Sequence, residues 1–374
     1  CGDDVCVRVG TGMQNLSPQR HRDTEKIVTR NPCVSVSLWL LVLLVSACGK
    51  PPVHTQEAFV FGTRVEVLVA DGDAARAKAA ASAVLKEFDR LHRTYHAWQP
   101  SELTALNEAI AAGKTHPVSA ELAGYIADAR RVAAAGEHLF DPGIGKRIQL
   151  WGFQSEEFRP VLPEPAALAA WQKAAPSIAQ LQADGSRISS SNPLVAVDFG
   201  GYLKGVALDR AAALLRAQGV HNALINIGGN VMALGNKYGE PWRVGIQHPR
   251  QPGALATLQL HDGEAIGTSG DYQRYFELDG KRYCHLLDPR SAMPVMHTQS
   301  LTVLISPRPQ AGMLSDAASK PLFIAGREDW LRLARRMAVG DVLRVGGDGR
   351  LQVTRSLAAQ LKFEPGVPAP EIVD

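Results

Sequence analysis

The chain has 374 residues, of which 45% are hydrophobic and 21% charged, with a net charge of +3. These values fit a globular protein of one large or two modest domains. So small a charge, with no basic stripe interleaved with aromatics, argues against nucleic acid as a partner, and no internal repeat or long low-complexity tract is present.

Residues 34–45 (VSVSLWLLVLLV) form an apolar run, shorter than the roughly 20 residues a membrane span needs. Arg20, Arg22, Lys26 and Arg30 precede it, and Val45-Ser46-Ala47-Cys48 ends it. Charged, apolar and small-residue regions in that order predict a secretory signal. A cysteine directly after the small residues resembles a bacterial lipobox, so Cys48 is expected to carry lipid. A plain signal peptide or a poor anchor is the alternative. Residues 1–27 are unusual ahead of such a signal and are read as an upstream over-extension of the true start. The expected organisation is a signal region over 1–47, a lipidated cysteine and tether over 48–57, a single body over 58–362 and a flexible Pro-rich tail over 363–374. Only Cys284 falls within the body, so no disulfide is expected there and the fold must rest on its core.

In the body, residues 59–69 read as a strand kinked at Gly62-Thr63. Residues 73–91, 101–111 and 119–136 read as helices, with 95–100 a turn. Residues 160–185 read as a proline-punctuated helical insert. The stretch 198–230 (DFGGYLKGVALDRAAALLRAQGVHNALINIGGN) carries the most information. An apolar run at 194–197 leads into Asp198, two glycines, Lys204 and Gly205. An amphipathic helix and a second apolar run follow, ending in Gly228-Gly229. Strand, glycine turn, helix, strand and glycine turn form a layout that brings backbone N–H groups to a phosphate-bearing ligand. Neither the dinucleotide fingerprint nor the P-loop is matched, and glycine pairs also close ordinary turns. Strands are expected at 242–247, 256–260, 264–267, 275–278, 282–287 and 300–306, helices at 316–326 and 329–337, and a hairpin at 341–354. The mixture predicts an α+β fold with helices packed on a largely antiparallel sheet.

Three further groups carry possible chemistry. His285 ends a strand three residues before Asp288, where a general base or a hydrogen-bonded loop histidine both fit. Asp316 lies near the start of a helix, as a cap or dipole partner or as a hard-metal ligand. Asp141, before Pro142, reads first as a turn residue. Tyr95 and Trp98 have the shape to stack on a flat ligand and equally to join the core. His92 and His96 lack a third ligand at a recognisable spacing, so no zinc site is expected. Ser269 is not in a nucleophile elbow, which gives a serine hydrolase little support.

Taken together, these segments resemble the FAD:protein FMN transferase (ApbE) family. The features are Phe61-Gly62-Thr63, Thr94-Tyr95 with Ser101-Glu102-Leu103 and Asn107, Phe140-Asp141-Pro142 with Trp151-Gly152-Phe153, 198–205, 226–229, Ser269-Gly270-Asp271-Tyr272, 285–290 and 316–326. They occur in the family's order over nearly the whole exported part. The resemblance implies a two-part α+β body with an FAD cleft and Mg²⁺ at the pyrophosphate. It implies transfer of FMN to a threonine or serine hydroxyl of an acceptor protein, with AMP released. By the same resemblance, Phe61, Tyr95, Leu139, Phe140, Asp141, Asp198, Lys204 and Leu287 would contact FAD. The carbonyl of Gly201 and the carboxylate of Asp316 would hold Mg²⁺, and His285 would take the acceptor proton. Family acceptors carry a motif ending in Ser/Thr-Gly-Ala-Thr. Many members work on the outer face of the bacterial inner membrane, so a membrane lipoprotein facing the periplasm is expected.

One departure is serious. Where the family has threonine or serine four residues after the metal-binding aspartate, this chain has Lys320, followed by Pro321. A charged lysine has no lone pair for a metal. Either its ammonium replaces part of the metal's charge, or metal binding is weakened. Ser319 points about 100° away on an ideal helix. Gly143 for the usual threonine and Ala292 for the usual glycine are lesser departures. Alternative functions are an FAD pyrophosphatase, with water as acceptor, and a periplasmic FAD-binding lipoprotein without turnover.

Overall fold

The computed structural model describes residues 53–155 and 157–374. The expected signal region, Cys48 and the tether up to residue 52 lie outside the described residues. From His54 the chain is already strand: β1 (His54–Val60) pairs antiparallel with β2 (Thr63–Val69). The expected kinked strand over 59–69 is therefore a hairpin. Phe61 and Gly62 form its two-residue turn, with φ of 57° and 68°, the conformation whose twist matches that of the flanking strands.

Three helices follow, and each begins at a side chain that satisfies a free N–H. Asp73 caps α1 (Ala74–Thr94), Ser101 and Thr104 form a reciprocal cap on α2 (Glu102–Ala111), and Ser119 caps α3 (Ala120–Ala135). The buried stripe of α1 runs through Ala77, Ala80, Ala81, Val84, Phe88 and Leu91, a spacing that turns one helical face to the core. A two-residue strand, β3 (His116–Pro117), lies between α2 and α3, and the short α4 (Gly145–Leu150) follows them. The insert is helical only in α5 (Pro165–Ala174). It then makes a 3₁₀ turn and the strands β4 (Leu181–Asp184) and β5 (Arg187–Ser190), of which β5 pairs with β3 on one side and β4 on the other. The run 194–197 is not a strand of the sheet. It is laced to the 142–145 loop through Ala196 N to Gly143 O, Gly145 N to Ala196 O and Asp198 N to Pro142 O.

After α6 (Leu203–Ala217) come β6 (Ala223–Ile227), β7 (Asn230–Leu234), β8 (Trp242–Gln247), β9 (Ala254–Leu260), β10 (Ala265–Gly270), β11 (Tyr275–Leu278), β12 (Lys281–Cys284) and β13 (Thr298–Ile305). The long α7 (Ala311–Arg336) is broken at Gly326, where φ is 79°. The chain closes with β14 (Asp341–Gly346), β15 (Leu351–Thr354), α8 (Arg355–Ala358), β16 (Lys362–Phe363) and β17 (Glu371–Val373). The expected free tail at 363–374 is pinned: β16 pairs with β9, and β17 pairs parallel with β15.

Nine strands form the central sheet in the order β1-β2-β6-β7-β10-β13-β14-β15-β17. Every pairing is antiparallel except the last. Alternation along the strands gives it two apolar faces. Val65, Val67, Ile225, Ile227 and Val303 face α1, α6 and α7. Leu68, Leu224, Val231, Ala233 and Leu304 face the sheet β16-β9-β8. The α+β architecture with helices on a largely antiparallel sheet is thus as expected.

The helices α6 and α7 cross where both carry glycine, at Gly205 and Gly312. A Cβ on Gly205 would meet the Gly312 carbonyl, Met313 Cα at 2.6 Å and Asp316 Cβ at 2.7 Å. Neither helix has a local side-chain cap at its start. Each is capped by the other: Asp316 Oδ2 accepts from Gly205 N at 3.0 Å, and Asp209 accepts from Gly312 N at 2.9 Å and Met313 N at 2.8 Å. Burial pushes the Asp209 carboxyl up to about 6, against the pull of those two N–H groups. Gly205→Ala is expected to destabilise the fold by about 1–3 kcal/mol through overpacking of this crossing, read as a lower urea midpoint at unchanged m-value.

Candidate active site

His285 follows β12 on a two-stranded hairpin that stands outside the central sheet. Aromatic stacking mounts the hairpin. Phe276 and Tyr283 have ring centroids 5.2 Å apart, Trp151 and Tyr283 5.9 Å, and Phe153 and Phe276 5.9 Å. Such offset pairs contribute about 0.5–1.5 kcal/mol each beyond their burial. Arg147, buried and 4.5 Å over the Trp171 ring, donates to the carbonyls of Asp288 and Pro289 at 3.1 and 3.2 Å. Trp151 Nε1 donates to the Ala292 carbonyl at 2.9 Å. The loop after His285 is thereby stapled to the 145–153 segment.

The Nδ1 of His285 lies 3.2 Å from the Arg274 carbonyl. A carbonyl only accepts, so Nδ1 carries the proton and Nε2 keeps its lone pair. Burial, and then the positive charges of Arg274, Lys204 and Lys320, push the imidazole down to about 3. The ring is neutral at physiological pH although part of it reaches solvent.

Lys204 stands in the first turn of α6. Burial holds its ammonium below the ordinary lysine range, and Lys320 and Arg274 add to this against the opposing Asp316 carboxylate. Asp316 is fully buried. Burial would raise its carboxyl, but the ammoniums of Lys320 and Lys204 and the Gly205 N–H outweigh it and hold it below its ordinary value. Lys320 Nζ is paired with Asp316 Oδ1 and donates to the Asp316 backbone carbonyl at 2.7 Å. The Lys320 stem also lies against Gly201: a Cβ there would meet Lys320 Cε at 3.1 Å and Phe140 Cε2 at 3.0 Å. Phe140, Gly201, Lys204, His285, Asp316 and Lys320 are therefore one neighbourhood.

Other expected site residues have different surroundings. Tyr95 is a core residue: its hydroxyl donates to Glu121 at 2.6 Å and its ring meets Tyr125 at 5.3 Å. The Asp141 carboxylate is fully engaged, accepting from Gly143 N and Ile178 N at 2.8 Å each and from Ser177 Oγ at 2.5 Å, with His138 Nδ1 at 3.3 Å. It clamps the insert onto the 140–143 loop. This explains Gly143, where a Cβ would collide with Ile178 N and meet Ser177 C at 2.6 Å. Asp198 Oδ1 closes a short turn by accepting from Gly200 N at 2.7 Å, and burial raises its carboxyl. Leu139 is buried in the main core and Leu287 in the aromatic cluster. Phe61 packs on Phe88 and His92. Gly228-Gly229 is the hairpin turn between β6 and β7, with φ of 58° and 93°; Gly228 N donates to the Arg64 carbonyl at 3.1 Å and Gly229 N to Asn226 Oδ1 at 3.0 Å. Gln273 Nε2 reaches the Gly228 carbonyl at 3.4 Å. Ser319 Oγ turns to Ser269 Oγ at 2.7 Å and bonds the Asp316 carbonyl at 2.8 Å. Ala292, where glycine is usual, adopts a φ of 61°, a conformation that disfavours a Cβ.

Arg274 and Arg147 are absent from the sequence-based site. Arg274 donates to the Phe153 carbonyl at 2.5 Å and faces the Phe158 ring at 5.5 Å. Its only local signal is an arginine in a polar turn. Arg147 had one better, a basic residue four before Trp151 in a segment that ends in Ile148, Leu150 and Trp151.

A divalent cation does not fit the donor set present. One Asp316 oxygen is bonded by Gly205 N and the other is paired with an ammonium. Among the described residues, no group of three or more His, Cys, Asp or Glu side chains is placed to hold a metal. A cavity of about 540 Å³ between Val244, His248, Thr257 and Glu364 contains none of the residues above.

The ApbE family model matches residues 61–343. A Rhodobacter capsulatus protein named FAD:protein FMN transferase is 40% identical over 320 residues, covering 85% of this chain; the chain spans 60% of that relative's length. A Haemophilus influenzae protein of the same name is 30% identical over 287 residues, covering 75% of this chain and 81% of that relative. Among solved structures, the ApbE protein of Thermotoga maritima superposes with a TM-score of 0.75 at 27% identity, covering 83% of this chain and 99% of that one. The apo flavinyl transferase ApbE of Pseudomonas stutzeri superposes with a TM-score of 0.71 at 27% identity, covering 84% and 98%. The chain belongs to the ApbE family.

Asp141→Ala leaves two buried N–H groups without an acceptor. It is expected to cost about 3 kcal/mol, and in limited proteolysis the 160–185 insert should be cleaved ahead of the rest.

Proposed function

We propose that this chain transfers FMN from FAD to a serine or threonine hydroxyl of an acceptor protein and releases AMP. The observation that carries the reading is a histidine held neutral, with Nε2 free, beside Lys204, Arg274 and Lys320. The acceptor oxygen forms a bond to the FMN phosphorus as the bond from that phosphorus to the bridging oxygen breaks. AMP leaves with that oxygen, and the hydroxyl proton passes to His285 Nε2. Phosphoryl transfer of this kind needs positioning and charge neutralisation more than covalent chemistry. Lys204 and Arg274 supply fixed positive charge near the pyrophosphate. Phe140 lines the approach, and the staple through Arg147 and Trp151 keeps His285 in place. Tyr95 and Asp141 act through the scaffold. The Mg²⁺ implied by resemblance has no complete donor set here, so no step is assigned to it.

The acceptor is proposed to carry the motif ending in Ser/Thr-Gly-Ala-Thr. Lipid on Cys48 would hold the enzyme at the periplasmic face of the bacterial inner membrane. Both readings rest on the sequence and on family resemblance.

Incubation of the protein with FAD and an acceptor domain bearing that motif is expected to give an FMN-sized mass gain on the acceptor and one AMP per adduct. AMP and free FMN without an adduct would identify a pyrophosphatase instead, and intact bound FAD a binding protein. His285→Asn is expected to lower turnover about 100- to 10,000-fold with FAD binding retained.

The folded imidazole protonates near 3, against about 6.5 when unfolded. Transfer is therefore expected to show no acid-side inflection between about pH 5.5 and 7.5, measured as kcat/KM against pH. The contribution of His285 to stability is present above about 6.5 and is lost as pH falls from there toward 3, because the unfolded chain binds the proton first.

A further inference from the structure

We infer that the Lys320 ammonium takes the place of a divalent cation, so that this enzyme works without a metal at Asp316. The inference rests on the transferase reading above and concerns how that site neutralises a pyrophosphate. Positions 316 and 320 are one helical turn apart on α7, so any side chain at 320 faces the Asp316 carboxylate. Lysine fills that space. Its Nζ is on Asp316 Oδ1 and the Asp316 carbonyl, and its stem rests against Gly201. These are the two residues between which resemblance puts Mg²⁺.

The second Asp316 oxygen is engaged as well. Asp316 Oδ2 is bonded to Gly205 N at 3.0 Å. Ser319, the nearest hydroxyl in sequence, is turned to Ser269. Lysine brings no oxygen donor to position 320, where threonine or serine is usual, and a dication would sit against its positive charge. The ammonium gives a point charge suited to phosphate oxygens. It carries one positive charge where Mg²⁺ carries two, and Lys204 and Arg274 add positive charge to the same neighbourhood.

The test uses Mn²⁺ as the probe, since it takes the same hard oxygen ligands as Mg²⁺ and its free-ion paramagnetic resonance signal falls on binding. Wild-type protein is expected to leave that signal unchanged and to transfer FMN equally in excess EDTA and in excess Mg²⁺. Lys320→Thr is expected to bind one Mn²⁺, and Lys320→Thr with Asp316→Asn to bind none. EDTA should lower Lys320→Thr turnover about 100-fold, with Mg²⁺ restoring it. The inference is overturned if wild type binds Mn²⁺ and loses turnover in EDTA. It is equally overturned if Lys320→Thr, with an unaltered circular dichroism spectrum, gains no Mn²⁺ site. If neither protein turns over FAD but Mn²⁺ binding still separates them, the transferase reading falls and the replacement of the cation stands.

Discussion

The mutual capping of α6 and α7 is the contact on which the site depends. Each helix starts without a capping side chain of its own, and a buried aspartate on the other supplies the missing acceptors. Two helix N-termini thus meet at a crossing that only glycine permits. Both carry partial positive charge there, so the region attracts anions before any lysine is counted. Asp316 anchors one helix to the other, and the same anchoring brings its carboxylate under the charges of Lys320 and Lys204. Scaffold and electrostatics are therefore a single arrangement.

Catalytic geometry is built differently. His285 belongs to a hairpin that shares no backbone ladder with the nine-stranded sheet. It is held by stacked rings and by two buried donors, Arg147 and Trp151, that grip the carbonyls beyond it. The cationic side and the basic side of the site thus rest on separate supports, and Arg274 joins them. Its carbonyl accepts from His285, while its guanidinium is close enough to oppose protonation of that ring.

Much of this was legible in the sequence where the causes are local. The helices at 74–94, 102–111 and 120–135 announce themselves through caps and apolar stripes. Glycine, acid and lysine in order marked the start of α6, and the eight segments in family order gave the fold. Non-local causes were not legible. The caps of α6 and α7 come from residues 111 and 103 positions away. The turn at Phe61-Gly62 showed in the sequence only as a kink at Gly62-Thr63, because an aromatic residue gives little turn signal. The strand β17 hid behind prolines, since three residues pair with β15 only once the fold has brought them there. Tyr95 and Asp141 matched the family's motif yet are engaged by Glu121 and by the insert, contacts no single-sequence pattern carries.

Cys284 lies one residue before His285 and is the sole cysteine among the described residues. Its thiol is buried, pushed up to about 12 by that burial, and turned to the Val295 carbonyl at 3.4 Å. A thiolate is the reactive form, so an alkylating reagent meets an inert sulfur while β12 keeps its place. The sulfur becomes reactive when the hairpin parts from its loop. The native protein therefore contains its own clock for the breathing of the strand that carries its base, readable as a modification rate without any introduced label.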